Sequence, residues 1–308
     1  MLVLGGAGFI GRHAVDRLLA GGALVTIASR DPRRIGRRLP TRALACRRIP
    51  LRFETMVSPA DWEPTLASFD VVLNCVGILR ERGAETYDLV HHVAPAALAG
   101  ACLHADKRLV HLSALGLTDT ARSGFLRSKF LGELALRGSG ARVCIVRPSL
   151  LDGDGGFGAR WLRCIARWPV HAFPVDATGK IAALDVVDLA DALARLVLDA
   201  DACRCSGAAE IELGGSALHT LPDLLAALRR RHTSRRAVRI AVPGWLARLA
   251  SHICDLVHWS PFSFGHWELL RQDNRPHVNR LAELIGRPPR HVGEPEAIAG
   301  VATQLLPG

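Results

Sequence analysis

The feature that most constrains the fold is a glycine-rich turn between a predicted strand and a predicted helix. Gly5, Gly8 and Gly11 follow the apolar N-terminal segment with the spacing G-x-x-G-x-x-G, and a helical apolar pattern begins over 12–20. Such a turn bends the backbone sharply and presents the free N–H groups of a helix N-terminus to pyrophosphate. A second predicted strand over 23–28, about 20 residues later, makes this the phosphate-binding turn of a dinucleotide-binding βαβ unit.

Apolar runs and helical patterns alternate through the first two-thirds of the 308-residue chain. This order predicts an α/β fold, a Rossmann-like doubly wound parallel sheet with a smaller C-terminal α/β satellite domain. We predict a dinucleotide-binding domain over 1–150, to which 181–200 returns. The smaller substrate or lid domain comprises 151–180 and 201–308, and a helix starting at Pro276 is expected to form a lid on the substrate side. The predicted strands are 1–4, 23–28, 71–76, 109–113, 143–148 and 211–213, and the predicted helices are 12–20, 86–104, 125–136, 185–200 and 221–231.

The formal net charge of +10 favours anionic ligands such as nucleotide phosphates or acidic lipid. No basic helix or aromatic platform indicates nucleic-acid binding. The eight cysteines are scattered and lack ligand spacing, so we expect neither a disulfide nor a metal site and hence a reducing compartment. The apolar start is too short for a cleaved leader, and no run of about 20 apolar residues predicts a membrane span.

The end of the second strand distinguishes the two nicotinamide dinucleotides. An acidic residue there would hold the ribose 2′-hydroxyl of NAD, whereas arginine accepts the 2′-phosphate of NADP. Ser29 and Arg30 occupy this place, and Asp31 follows one residue late. We therefore favour NADP(H), with NAD(H) as the alternative. Further arginines that could assist are Arg12, Arg33 and Arg34.

Several segments resemble extended and atypical short-chain dehydrogenases: the glycine loop, 74–77, Ser113 at a strand end, Ser128-Lys129 on the next helix, and 147–149. Within that superfamily the chain is most similar to bacterial relatives of the nucleotide-binding accessory subunit nine of respiratory complex I. The segments that carry this similarity are 2–12, 74–79, 111–116, 126–133 and Gln272-Asp273-Asn274. The resemblance covers most of residues 1–290. It implies a bound dinucleotide and association with a membrane-associated protein complex or with quinone metabolism.

Active members of this superfamily use a Ser–Tyr–Lys set, with tyrosine four residues before lysine. Tyrosine transfers the proton, lysine lowers the phenol pKa and holds the ribose, and serine polarises the carbonyl. The resemblance assigns catalytic positions to Ser113 and Lys129, but Phe125 stands where tyrosine is expected. The single tyrosine, Tyr87, falls on a different predicted helix, so we expect acid–base catalysis by this route to be crippled. The glycine loop, the end of strand two and the resemblance together give the cofactor-binding residues Gly5, Gly8, Phe9, Ile10, Gly11, Arg12, Ser29, Arg30, Cys75, Val76, Gly77, Ser113, Lys129, Pro148 and Ser149.

Other residues remain as alternatives for proton transfer. His92 falls where the superfamily has a helical asparagine, and His111 lies on a predicted strand. Asp152 and Asp154 follow the last strand of the series, where acidic residues more often form turns. Residues 241–270 carry three tryptophans and two phenylalanines among few charges. This composition predicts either a small-domain core over the substrate cleft or a segment at a membrane interface.

The leading hypothesis is an NADP(H)-binding accessory or weakly active protein, linked to complex I or quinone metabolism, in which the dinucleotide acts structurally. The second is an active NAD(P)-dependent reductase or epimerase, with a hydrophobic carbonyl or quinone-like ligand near Trp161, Trp168 and 241–270. The third is a nucleotide-sensing regulator that binds a protein partner. Cofactor turnover separates the first two, and the sequence leaves it open. We expect a cytoplasmic protein, with peripheral attachment to the inner face of the cytoplasmic membrane as the alternative.

Overall fold

A computed structural model describes residues 1–33, 35–203, 210–257 and 262–293. The strands are β1 (Leu2–Leu4), β2 (Thr26–Ser29), β3 (Arg47–Pro50), β4 (Val71–Asn74), β5 (Arg108–Leu112), β6 (Arg142–Pro148), β7 (Leu151–Asp152), β8 (Val170–Pro174), β9 (Leu184–Asp185), β10 (Glu210–Leu213) and β11 (Val238–Val242). The α-helices are α1 (Phe9–Ala20), α2 (Pro59–Leu66), α3 (Ala94–His104), α4 (Gly124–Gly138), α5 (Phe157–Ala166), α6 (Val186–Leu198), α7 (Leu221–Arg230), α8 (Gly244–Val257), α9 (Phe264–Leu270) and α10 (Leu281–Ile285).

Seven of the described strands form a parallel sheet in the order β10-β6-β5-β4-β1-β2-β3. The chain order reverses beside β1, which pairs with β2 on one side and with β4 on the other. In register, Leu4 lies level with Ala28 and Asn74, so the carboxyl ends of the three strands meet at one edge. Ligands of doubly wound sheets bind at such a switch point. The Rossmann-like α/β prediction is confirmed.

Helices cover both faces of this sheet and bury its apolar strands. Successive strand residues point to opposite faces, so Val3 joins one apolar cluster while Leu2 and Leu4 join the other. The first cluster packs under α1 and α6, and the second packs under α2 and α3 with the fully buried Trp62. Burial on both faces explains why the strands of a parallel sheet are continuous apolar runs.

A smaller layer lies next to the large sheet. Strands β8 and β11 pair in parallel, and α5 and α7 pack together over a third apolar cluster. The sequence-based boundary is wrong for Glu210–Leu213, because β10 pairs with β6 and belongs to the large sheet. None of the helices in the described part of the chain is long and apolar enough to cross a membrane.

Two further sequence-based expectations are corrected. The helix expected to start at Pro276, α10, begins at Leu281, and the Asn279 side chain just before it accepts a hydrogen bond from the Leu281 N–H at 3.2 Å. This helix packs against α6 and is not a lid over the substrate side. Cys144 on β6 and Cys203 after α6 form a disulfide, so the expectation of no disulfide is wrong. Packing of α6 on the sheet joins cysteines that are 59 residues apart in sequence.

Candidate functional site

The three glycines of the first turn have three different structural roles. Gly5 has φ +71°, a left-handed conformation that suits glycine. A Cβ on Gly11 would overlap the carbonyl oxygen of Gly5, so α1 can approach the loop only without a side chain there. Gly8 is the N-cap of α1 and has no side chain, which leaves the first N–H groups of the helix open to a ligand.

A cavity of about 450 Å³ runs along the carboxyl ends of β1, β2 and β4. The predicted residues that the structure brings together in its wall are Gly5, Gly8, Ser29, Arg30, Cys75, Val76 and Gly77. Wall residues that the sequence pattern did not predict include Ile35, Arg38, Leu51, Phe53, Ile78 and Glu85. The volume lies within the range of about 300–1,000 Å³ usual for small-molecule and cofactor sites. We call this cavity the dinucleotide groove.

Charged residues surround the β2 end of the dinucleotide groove. Arg30 forms an ion pair with Glu85, a side chain that also lines the groove. The Asp31 carboxylate accepts a hydrogen bond from the Arg33 N–H at 3.2 Å and so holds the turn after β2. The buried Ser29 hydroxyl has no hydrogen-bond partner among the described residues. Arg34 lies outside the described residues.

Four predicted cofactor residues on α1 are not part of the described groove wall. The Arg12 guanidinium donates to the backbone carbonyl of Asp154, and the Phe9 ring lies against Gly153 and Gly156. Gly11 is buried beneath the loop, and the apolar side chain Ile10 packs on the core. Phe9 and Arg12 therefore join α1 to the loop after β7, and Arg12 is not placed to assist Arg30.

Gly77 connects the groove to the residues that the resemblance assigns to catalysis. A Cβ built on Gly77 would lie 3.8 Å from Lys129 Nζ and 3.7 Å from His91 Nε2. Burial lowers the pKa of the Lys129 ammonium to about 8, against the opposing effect of the Glu133 carboxylate. Ser113 lies at the end of β5, and its buried hydroxyl has no hydrogen-bond partner in the part of the chain that the structure describes.

Phe125 lies one helical turn before Lys129 on α4. Lys129 Nζ is 5.9 Å from the centre of the Phe125 ring. The ring packs edge-on against His91 at 5.6 Å and stacks on His266 at 6.1 Å. The position expected to hold the acid is therefore filled by an apolar ring in contact with two imidazoles.

Tyr87 lies close to Phe125 in space, although the sequence placed it on another helix. Its ring is 5.8 Å from that of Phe125 and stacks on His91 at 5.7 Å. The Tyr87 hydroxyl donates a hydrogen bond to the Leu79 carbonyl at 2.9 Å. Burial raises the pKa of the Tyr87 phenol. The hydroxyl is therefore directed to the backbone rather than to Lys129.

His91, rather than His92, faces the candidate site. His91 Nε2 accepts the Ile78 N–H at 3.1 Å, so the ring proton is on Nδ1 and is donated to Ser128 Oγ at 3.0 Å. Burial holds the pKa of His91 well below its usual value, which keeps the ring neutral. His92, predicted to stand in the place of the superfamily's asparagine, instead contacts Asp88 at 2.9 Å.

The other alternative proton donors have structural partners. His111 Nδ1 accepts a hydrogen bond from the Asn74 amide at 3.1 Å, and burial lowers the pKa of His111 to about 3. Asp152 and Asp154 both pair with Arg163, at 2.8 Å and 2.7 Å. No group of three or more His, Cys, Asp or Glu side chains within the described ranges could hold a metal ion.

A second cavity of about 380 Å³ begins at Phe125 and extends into the smaller layer. Trp161 lines it and stacks on Phe262 at 6.5 Å, whereas Trp168 is exposed and lies outside its wall. Burial lowers the pKa of His266 to about 4, so its ring is neutral. Other lining residues, nearly all apolar, include Ala114, Leu115, Pro148, Ser149, Leu150, Leu162, Ile165, Phe173, Leu221, Leu225, Val242, Ala247, Ala250 and Leu270. We call this cavity the apolar cavity.

Asn274, from the segment that resembles complex I subunit nine, closes one wall of the apolar cavity. Its side-chain oxygen accepts hydrogen bonds from Ser149 Oγ at 2.7 Å and from the Leu150 N–H at 3.0 Å. Its amide donates to the Leu115 carbonyl at 3.2 Å. Pro148 and Ser149, predicted as cofactor residues, thus lie in the apolar cavity wall at its junction with the large sheet.

Comparisons with known proteins agree with this architecture. The chain is 29% identical over 168 residues to NADH dehydrogenase (ubiquinone) 1 alpha subcomplex subunit 9, mitochondrial, of Dictyostelium discoideum, covering 54% of this chain and 47% of that protein. The chain spans about half the length of the curated relatives it matches. The NADPH-dependent quinone oxidoreductase QOR2 of Escherichia coli, complexed with NADPH, shares the fold with a TM-score of 0.68 at 18% identity over 95% of this chain and 96% of that one. MoeE5, in complex with UDP-glucose and NAD, does so with a TM-score of 0.61 at 20% identity over 94% and 93%. The chain belongs to the NAD dependent epimerase/dehydratase family, which it matches over residues 1–208.

Proposed function

We propose that the protein holds a nicotinamide dinucleotide in the dinucleotide groove, with the nicotinamide end against Ser113 and Lys129. The observation that carries this proposal is a pair of buried hydroxyls, Ser29 Oγ and Ser113 Oγ, that lack partners within the described residues. Each costs about 1–3 kcal/mol when left unsatisfied. Ser29 lines the β2 end of the groove, and Ser113 ends a strand beside β4. A ligand that spans the strand ends would satisfy both.

We propose NADP(H) as the preferred cofactor. Arg30 and Arg38 both line the groove near the end of β2, where the 2′-phosphate of NADP would lie. Glu85, a carboxylate in the groove wall, pairs with Arg30, and the Asp31 carboxylate is bonded to the backbone of the turn. Arg30, by exchanging its Glu85 partner, and Arg38 would each offer a guanidinium to the 2′-phosphate, which supports the preference for NADP(H).

A bound nicotinamide dinucleotide would supply a hydride. Lys129 would hold its ribose and Ser113 would bond its nicotinamide end, but Phe125 has no proton to donate to an acceptor. General acid catalysis typically contributes about 10²–10⁴-fold, so this chain should reduce ordinary carbonyls poorly. We therefore propose an accessory or weakly active protein whose dinucleotide mainly stabilises the fold, by about 2.7 kcal/mol at 100 times the dissociation constant. The similarity to a complex I subunit supports a place in a membrane-associated complex.

The apolar cavity favours a second candidate function, hydride transfer to a hydrophobic quinone-like acceptor. The cavity begins at Phe125, beside Lys129, and its wall is almost entirely apolar. A quinone spreads the incoming negative charge over its ring, so water can protonate it and the missing phenol costs little. The similarity in fold to a quinone oxidoreductase is consistent with this second candidate function.

The first experiment identifies the nucleotide that remains bound after purification without added cofactor. The protein is denatured and the released nucleotide is analysed by mass spectrometry, and the emptied protein is then titrated with NADPH and NADH. Release of NADP(H) near one per chain supports the proposal. A chain that releases no nucleotide and binds neither dinucleotide refutes it. Stopped-flow oxidation of the bound NADPH by quinones and by aldehydes separates the two candidate functions.

Two serine substitutions test directly whether a buried hydroxyl without a partner binds the dinucleotide. Ser113→Ala removes an unsatisfied hydroxyl, so the empty protein should lose no stability while NADPH affinity falls roughly 2- to 10-fold, the value of one hydrogen bond. Ser139→Ala is the matched control, because the Ser139 hydroxyl already donates to the Leu136 carbonyl at 2.7 Å. The control should lower stability and leave affinity unchanged. Equal effects of the two variants on affinity would count against the proposal.

A further inference from the structure

Helix α8 exposes an apolar face. Trp245, Leu246, Leu249 and Ile253 are all exposed, Trp245 at 69% and Ile253 at 53%. At 3.6 residues per turn these side chains fall within about 100° of the helix circumference. Ser251, a polar residue, is fully buried on the opposite side. Apolar side chains thus make up much of the exposed side of α8.

The polar residues of α8 are used to fix the helix to the body of the protein. Asp255 forms an ion pair with Arg80 and accepts the Phe264 N–H at 2.9 Å. His252 stacks on Phe264 at 4.6 Å, and the Arg248 guanidinium lies 5.9 Å from the same ring. The apolar face of α8 is therefore held outward by specific contacts and is not the by-product of a loosely packed segment.

The neighbouring two-stranded sheet continues this apolar surface. Val238 on β11 is paired with Val170 on β8, and Ile240 with Ala172, so these four side chains share one face of the pair. All four are exposed. The surface reaches the apolar cavity, because Ala172 and the exposed Ala250 of α8 both line that cavity. We define the outward faces of α8 and of β8–β11 together as the apolar platform.

Arginines flank the apolar platform. Residues 229–257 contain seven arginines and one aspartate. Arg229 is buried and donates to backbone carbonyls, including that of Trp168, so it is not part of the surface that a partner meets. Arg230 and, just before β11, Arg235 and Arg236 are exposed. This basic border indicates an anionic partner.

We propose that the apolar platform docks on a lipid bilayer that carries anionic headgroups, with the mouth of the apolar cavity turned to the membrane. Tryptophan and branched apolar side chains enter the headgroup boundary, and nearby arginines pair with lipid phosphates. Charge argues against a second copy of the chain as the occupant. A two-fold interface places the same patch on both partners, so it would bring the two sets of arginines together. A lipid-soluble ligand would then enter the cavity directly from the bilayer, a consequence that rests on the proposed function.

The test is flotation of the full chain with vesicles of phosphatidylcholine alone and with added phosphatidylglycerol. We expect binding to the anionic vesicles that weakens with salt. Leu249→Glu should reduce binding by roughly tenfold or more, because it removes an apolar contact and adds repulsion. Leu134→Glu on α4 is the matched control, since Leu134 is 52% exposed and Leu249 51%. The control should bind like the unchanged protein.

Two results would overturn the docking proposal. The first is a chain that binds neither vesicle; a dimer in sedimentation that Leu249→Glu dissociates would then assign the platform to a second copy. The second is equal loss of vesicle binding in both glutamate variants. NADPH titration of Leu249→Glu reports folding and the dinucleotide groove independently. A chain that binds vesicles but no dinucleotide would therefore refute the proposed function and leave the docking proposal standing.

Discussion

Replacing Gly8 with alanine should separate dinucleotide binding from folding. A Cβ at this position would lie 3.0 Å from the Gly5 carbonyl oxygen, so a shift of a few tenths of an ångström accommodates it. Loss of the glycine N-cap should cost at most about 1 kcal/mol of folding stability. The added methyl group would stand where the pyrophosphate must approach the first N–H groups of α1. Loss of one charge-assisted hydrogen bond, about 1.5–3 kcal/mol, predicts a 10- to 100-fold larger dissociation constant for NADPH.

The assay is calorimetric titration with NADPH beside urea unfolding of the empty protein. Gly138→Ala is the control, because a Cβ there meets nothing within 4 Å at the far end of α4. NADPH affinity should be unchanged in the control. An NADPH affinity within about twofold of the unchanged protein for Gly8→Ala would refute the placement of the pyrophosphate at this helix N-terminus. A collapse of folding stability would instead show that the turn itself requires glycine at position 8.

Three further substitutions follow from the site. Phe125→Tyr should raise the rate of NADPH-dependent ketone reduction by up to about 10²–10⁴-fold while changing quinone reduction little, which a comparison of the two acceptors would show. Arg30→Ala should weaken NADPH binding roughly tenfold or more and leave NADH binding unchanged in paired titrations. Burial lowers the pKa of Lys129 from 10.5 to about 8, so proton binding favours the unfolded chain. Lys129→Met should therefore raise the free energy of unfolding most below pH 8, and denaturant titrations should show this gain disappearing as the pH rises towards 10.5.

The sequence predicts the elements in which local pattern and tertiary environment agree. The glycine loop and the buried strands have unambiguous patterns, because burial on both faces requires uninterrupted apolar residues. Edge strand β3 was missed, since its sequence Arg47-Arg48-Ile49-Pro50 is largely polar and its end residues are exposed. With β3 unpredicted, Leu51 and Phe53 of the dinucleotide groove could not be found.

The sequence pattern indicated His92 rather than His91 at the candidate site, and the reason is local. Residues 89–93 form a π-helical turn, whose wider i→i+5 spacing rotates the following residues relative to a regular α-helix. The regular helix predicted over 86–104 therefore gave the wrong inward face. Gly132 on α4 completes the arrangement, because a Cβ there would overlap the His91 carbonyl. A π-turn depends on such packing and has no clear sequence pattern.

The proximity of Tyr87 to Phe125 raises the question of whether this tyrosine replaces the missing acid. The structure argues against it, since the Tyr87 hydroxyl donates to the Leu79 carbonyl and burial raises its pKa. We predict that Tyr87→Phe lowers the free energy of unfolding by about 1 kcal/mol, the value of one neutral hydrogen bond. The rates of ketone and quinone reduction by NADPH should stay within about twofold of those of the unchanged protein. Tyr87 does not act as the general acid, so the variant cannot lose the rate enhancement of about 10²–10⁴-fold that such catalysis gives. A hundredfold fall in ketone reduction alone would show that the Tyr87 hydroxyl leaves Leu79 and donates its proton to the substrate. The conclusion that the site lacks a general acid would then be wrong.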